Sequence, residues 1–335
     1  MSNPVLIEQE PAEMEKIIQE FFHIVPGMAN AKSVPVVNAE SLSKDAFIKK
    51  WVNNNQPCLI KGAIKHWPAS NKWGDIDYWK STCEDFRLCA YPHHNYGRVK
   101  NRMGIEMGFY EAINRLFSGT DHIFSMPSEP IFRGSRFGEL IADLPGFKFL
   151  PDSPKPRLYD RMRMFMYRRA ATTWHYHDTD ETLMCQIKGG KKVALFSPGI
   201  QNSIHVAAFM QQELHMEGHV LNPDISLDPL MVNVEEGDAL YIPPYWHHGV
   251  VPLDGEVGFT LAYCWASPFH KFGDFSNAFV RKLYRDAIKP IDKDIAYLLF
   301  TCHVYNYMRK HIYIGYKICF ITYFCHIVIH VYFIK

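Results

Sequence analysis

From about residue 157 the chain breaks into short runs of β-branched, aromatic and apolar residues, and this pattern restricts the fold more than any other feature. The runs are Met162 to Tyr167, Thr182 to Ile187, Lys192 to Phe196, Ala239 to Ile242 and Gly258 to Trp265, separated by Gly and Pro signals. Several short strands joined by tight turns pack as a sandwich or jelly-roll barrel. A mainly β fold is therefore expected, with the barrel core at about 157–268.

The flanks read differently. Residues 11–25 carry apolar residues at helical spacing, and a second helix is expected after Ser43, an N-cap, with Phe47, Ile48, Trp51 and Val52 on one face. Pro57 to Gly62 reads as a short buried strand, and a helix is expected at 106–117. Beyond the barrel, 272–288 places Phe275, Phe279, Leu283 and Ala287 on one stripe, and a further helix is expected at 291–300. The predicted organisation is an N-terminal helical segment (1–35), a main domain (36–275), C-terminal helices (276–300) and an atypical tail (301–335). The tail has four basic residues and no acid, and it is crowded with Ile, Tyr and Phe. It reads as a segment packing on the body or a partner, as a short hydrophobic anchor, or as translated non-coding sequence; composition does not choose among them.

Composition removes some functions. A formal net charge of +1 over 335 residues lacks the basic excess of a general nucleic-acid binder, and 47% hydrophobic residues are too many for a disordered chain. The eight cysteines form no CxxC pair and read as reduced thiols. The N-terminus has no basic region leading into an apolar run. A cytoplasmic or nuclear protein that is not held in a membrane is expected.

Seventeen histidines raise the question of grouping. One group lies in Thr172-Thr173-Trp174-His175-Tyr176-His177-Asp178-Thr179-Asp180-Glu181. In an extended segment His175 and His177 project to one face, because strand side chains alternate. The other lies in Gly237-Asp238-Ala239-Leu240-Tyr241-Ile242-Pro243-Pro244-Tyr245-Trp246-His247-His248, a glycine turn, a buried strand and a proline-aromatic turn that presents histidine.

Together these segments resemble the cupin superfamily: His175-x-His177 with Glu181, then Gly237, Pro243 and His248 at its spacing. Gly189 falls one residue late, and Tyr245 replaces the usual glycine. Over roughly 36–275 the chain is most similar to the Jumonji C branch, particularly the small lysyl, asparaginyl and tRNA hydroxylases. Pro57 to Ala63, His66-Trp67-Pro68, Cys185 to Lys192, Leu195 to Pro198 and Gly237 to Pro243 carry that similarity. The resemblance implies a double-stranded β-helix holding Fe(II) by two histidines and a carboxylate, with positions open for 2-oxoglutarate and dioxygen. His248 takes the place of the distal histidine. Lys191 takes the place of the basic residue that binds the far carboxylate of 2-oxoglutarate, and Thr173 matches its assisting hydroxyl.

The family writes His-x-Asp at the first ligand pair, and this chain does not. The resemblance leaves two ligand sets: His175, Asp178 and His248 with a local bulge, or His175, His177 and His248. It assigns no catalytic residue beyond the metal ligands. The leading expectation is an Fe(II)- and 2-oxoglutarate-dependent oxygenase hydroxylating a protein side chain, with RNA or a small molecule as other substrates and a homodimer formed through the C-terminal helices. One rival is a Jumonji-like binding module without turnover, motivated by the altered motif. Another is a three-histidine cupin dioxygenase, independent of 2-oxoglutarate, with Glu181 as a further ligand.

Overall fold

The computed structural model describes residues 21–22, 25, 27–92, 104–150, 153–157, 159–177, 180–197, 228–244 and 246–267. All lie in the first of two compact units, residues 1–270; the second, 271–335, lies outside the described residues, as do the expected C-terminal helices and the tail.

Among the described residues, fourteen strands make up two sheets. In chain order they are β1 (Lys32–Ser33), β2 (Val36–Asn38), β3 (Cys58–Lys61), β4 (Arg87–Pro92), β5 (Ile105–Gly108), β6 (Phe124–Pro130) and β7 (Met162–Arg168). There follow β8 (Thr172–His175), β9 (Asp180–Lys188), β10 (Lys191–Phe196), β11 (Leu230–Val234), β12 (Ala239–Ile242), β13 (His247–Pro252) and β14 (Val257–Ala266). The small sheet runs β1-β11-β10-β13-β8 and the large one β2-β3-β12-β9-β14-β7-β6-β4-β5. This is the mainly β, jelly-roll architecture expected from the runs after residue 157; the run at Ala239–Ile242 keeps its bounds and the other four gain one to three residues where pairing continues.

The helices sit outside the large sheet. Helix α1 (Lys44–Phe47) opens at Ser43, whose hydroxyl accepts the Ala46 N–H at 3.2 Å. It widens into a π-helical turn over Ile48–Val52, which keeps Phe47, Trp51 and Val52 buried. Helices α2 (Ala69–Lys72) and α3 (Ile76–Thr82) carry or flank the aromatic cluster, in which Trp67, Trp73 and Trp79 are essentially inaccessible. Replacing any of the three by Ala removes a core filler at a cost of about 3–5 kcal/mol.

The helix expected at 106–117 starts later, as α4 (Phe109–Ser118). Its first residues pair instead as β5 against β4, from Arg87↔Gly108 to Ala90↔Ile105. The Asp85 carboxylate then accepts the Tyr110 N–H at 3.0 Å and caps the helix from outside the local sequence, a contact that periodicity cannot reveal.

Candidate metal centre

Strand β13 sits between β10 and β8, with His248 opposite Leu195 on one side and His175 on the other. The β8 register slips here: Val250 pairs with Thr172, so two residues of β8 face one of β13. This β-bulge lets both Thr172 and His175 line the interior, while Trp174 packs outward against Phe21, Phe22 and Phe196. Gly249 is the residue opposite the bulge. A Cβ there would lie 2.8 Å from both Phe21 and Trp174, so only glycine lets Trp174 close over the strand.

His177 comes in from the segment leading to β9. The imidazoles of His175, His177 and His248 each offer a nitrogen, and the three nitrogens lie within 4.8 Å of one another. Ring centroids are 4.2 Å apart for His175–His248, 5.0 Å for His177–His248 and 5.3 Å for His175–His177. His248 Nδ1 lies 2.9 Å from the Trp246 carbonyl, which can only accept, so Nδ1 carries the proton and Nε2 keeps its lone pair. His177 Nδ1 lies 2.9 Å from Thr182 Oγ1. Such partners fix the tautomer and orientation of metal-binding histidines. Burial holds both His177 and His248 well below the usual imidazole range, so both are neutral, the form that ligates. The neighbouring His247 points the other way, stacked on Phe196 at 5.0 Å, and burial pulls it down to about 3.

The triad opens on a cavity of about 150 Å³ lined also by Tyr159, Arg163, Phe165, Thr182, Lys191 and Thr260. Lys191 is a buried residue rather than an exposed turn lysine, 5% accessible. Its ammonium sits 4.1 Å from the centre of the Tyr167 ring, and burial pulls its pKa down to about 7. A buried cation in a cavity with no acid among its described lining residues fits an anionic guest, and three converging imidazoles fit a divalent transition metal.

Of the other residues singled out in the sequence, Glu181 does not join the triad. On β9 it alternates away from Thr182 into the core, accepting hydrogen bonds from Tyr241 at 2.6 Å and from Ser267. Burial raises its pKa to about 7. This overturns Glu181 as a metal ligand, because strand alternation sends it to the other face. Asp178 lies outside the described residues, and so does the side chain of Thr173, although Thr173 belongs to β8. Sequence reasoning missed Thr172, Thr182 and Arg163, whose placement depends on the bulge and on pairing between distant strands.

The cupin-like domain family matches residues 43–271. The chain is 23% identical over 246 residues to Jumonji C domain-containing protein 5 of Drosophila melanogaster, covering 69% of this chain and 59% of that protein. It is 23% identical over 250 residues to the tRNA wybutosine-synthesizing protein 5 of Homo sapiens, covering 68% and 77%. It is 22% identical over 255 residues to the bifunctional peptidase and (3S)-lysyl hydroxylase JMJD7 of Homo sapiens, covering 65% and 80%. The chain spans less than two thirds of the Drosophila relative's length. Two β-sheets, an inward-facing histidine triad and this match over most of the chain agree: the chain belongs to the cupin-like domain family, and its relatives include Jumonji C proteins.

Proposed function

We propose that this protein is an Fe(II)- and 2-oxoglutarate-dependent oxygenase that hydroxylates a protein side chain. The observation that carries the reading is three converging histidines and one buried lysine in a single cavity that has no acid among its described lining residues. A relative described as a (3S)-lysyl hydroxylase supports a protein substrate, and one described as a tRNA wybutosine-synthesizing protein makes RNA the second choice.

His175, His177 and His248 would hold the iron, and Lys191 would hold the far carboxylate of 2-oxoglutarate. When bound, the pair supplies oxidative chemistry that splits 2-oxoglutarate to succinate and carbon dioxide and leaves one dioxygen oxygen in a substrate C–H bond. The protein's own part is positional. Thr182 and the Trp246 carbonyl orient two imidazoles, the Trp174–Phe196 layer seals the back of β8 and β13, and Lys191 registers the cosubstrate along β10.

Anaerobic titration of the full chain with Fe(II), followed by 2-oxoglutarate, tests this. One metal per chain and metal-dependent binding of 2-oxoglutarate are expected. Absence of metal uptake overturns the enzyme reading in favour of a binding module. Dioxygen consumption without 2-oxoglutarate favours the three-histidine dioxygenase. His177→Ala and Asp178→Ala, compared for metal content, separate the two ligand sets.

A further inference from the structure

Strand β7 lines the cavity with alternate residues. Arg163 and Phe165 face it, while Tyr167 lies under the Lys191 ammonium. Across the large sheet Arg163 pairs with Ala262, which pairs with Met184, one step from Thr182 and its contact with His177. Arg163 thus stands at the level of the triad. Lys191 stands at the level of Tyr167, four residues further along β7, roughly 13 Å at the rise of an extended strand.

Three other half-buried arginines of the barrel wall, Arg169 aside, bond more fully. Arg115 makes two bonds to Asp121, at 2.8 and 2.7 Å. Arg161 donates to Tyr263 and to the Ser153 and Pro154 carbonyls, and Arg168 to those of Leu116, Phe117 and Gly255. Arg163 differs. Among the described residues its guanidinium reaches Ser128 Oγ at 3.3 Å and Cys264 Sγ at 3.7 Å, and its buried Nε–H meets no acceptor. The guanidinium carbon lies 4.0 Å over the centre of the Tyr159 ring. A guanidinium with unused donors, facing a cavity with no acid among its described lining residues, is built for an anion.

The segment beside it has the same sign. Lys155, Arg157, Arg161 and Arg163 outnumber Asp160, the one acid within residues 155–163. The buried Asp180 carboxylate accepts the Arg157 and Tyr159 N–H groups at 2.8 and 3.2 Å, pinning this strap to the start of β9.

We propose that Arg163 determines specificity for a carboxylate on the substrate, so that the oxygenase acts on an acidic group. The proposal rests on the oxygenase reading and deepens it. A five-carbon diacid held between metal and Lys191 uses both its carboxylates there, so Arg163 remains for the second molecule. The carboxylate would come from an acidic peptide segment or from a free small acid. A net charge of +1 disfavours a polyanionic RNA.

The test is calorimetric titration of the full chain, loaded with Mn(II) and saturating 2-oxoglutarate without oxygen. The probes are an alternating Asp-Ala decapeptide, its Asn counterpart, a doubly capped single aspartate and a ten-nucleotide single-stranded RNA. The Asp peptide is expected to bind wild type about tenfold or more tighter than its Asn counterpart, a preference lost in Arg163→Met and partly kept in Arg163→Lys. An Arg163-dependent preference in the capped aspartate alone identifies a free acid as the source, and dependence only in the peptide identifies an acidic segment. Equal preference in wild type and Arg163→Met, both folded by circular dichroism, overturns the proposal, and so does tighter, Arg163-dependent binding of RNA. Unaltered 2-oxoglutarate affinity in Arg163→Met is also expected, and a loss there assigns Arg163 to the cosubstrate and overturns it. The peptide titrations are repeated without metal or 2-oxoglutarate. Failure of 2-oxoglutarate to bind any form defeats the oxygenase reading while leaving the Arg163 comparison readable.

Discussion

The two ends of the cavity are both buried, yet burial acts on them in opposite ways. At the triad end, desolvation favours neutral imidazoles, and a neutral imidazole is the ligand form, so burial prepares the site at no electrostatic cost. At the other end, desolvation works against the Lys191 ammonium, which among the described residues has a tyrosine ring rather than a carboxylate for company. One end is complete without its guest; the other is under strain until an anion arrives. The difference identifies which residues select a metal and which select an anion.

The largest expected effect comes from removing a ligand. His248→Ala leaves two imidazoles for the metal and should abolish Fe(II) uptake, measured as metal per chain after desalting. Retention of the full metal content would remove His248 from the centre and break the comparison at its triad end. Because His248 is neutral, the same variant should lower thermal stability only as a core truncation does, by about 1–3 kcal/mol.

Next comes the pH dependence of stability at the lysine end. The folded pKa of Lys191 is about 7 against an ordinary 10.5. Below pH 7 the ammonium is charged in both folded and unfolded chains and the desolvation cost is fully present. Between 7 and 10.5 the folded chain loses the proton while the unfolded chain keeps it, so the cost fades and stability rises with pH. The whole difference is on the order of 5 kcal/mol. Urea unfolding of the cosubstrate-free protein at about pH 6.5 and about pH 9.5 should show this rise, and Lys191→Met should flatten it. If both proteins respond alike, Lys191 is solvated and the contrast between the two ends fails. In the metal-loaded protein Lys191→Met should then weaken 2-oxoglutarate binding by roughly 10- to 100-fold while leaving metal content unchanged, the expected loss for a buried charge-assisted contact.

Much of the barrel was legible because five of its strands are local patterns. The runs from Met162 onward are short and rich in β-branched, aromatic and apolar residues, and Gly237 with its positive φ of 86° marks the turn before β12. Lys191 and the three histidines were legible through spacing and resemblance. What could not be read is set by pairing between distant segments. The bulge at Thr172–His175 exists only against β13, and the start of α4 depends on Asp85. Arg163 faces the cavity because β7 pairs with β14, nearly a hundred residues away in sequence. Glu181 was placed with the metal by spacing alone, whereas alternation along β9 gives the cavity face to Thr182 and the core face to Glu181.

The smallest effect probes the difference inside the triad itself. His248 is oriented by a backbone carbonyl, which no side-chain substitution removes, whereas His177 is oriented by the Thr182 hydroxyl. Thr182→Val keeps the shape of the side chain and deletes only that partner. His177 Nδ1 is then left buried without that hydrogen-bond partner, and the ring is free to turn its other nitrogen away from the centre. Outer partners of this kind are worth about 10- to 100-fold in metal affinity, and the low end is expected here because His175 and His248 stay in place. Thr182→Ser restores the hydroxyl and should restore affinity, which separates loss of the hydrogen bond from loss of packing. Competitive titration with a metal chelator reads the change. Wild-type affinity in Thr182→Val would mean that His177 does not depend on its orientation to hold metal, and the weight of the third ligand would then shift from His177 to Asp178.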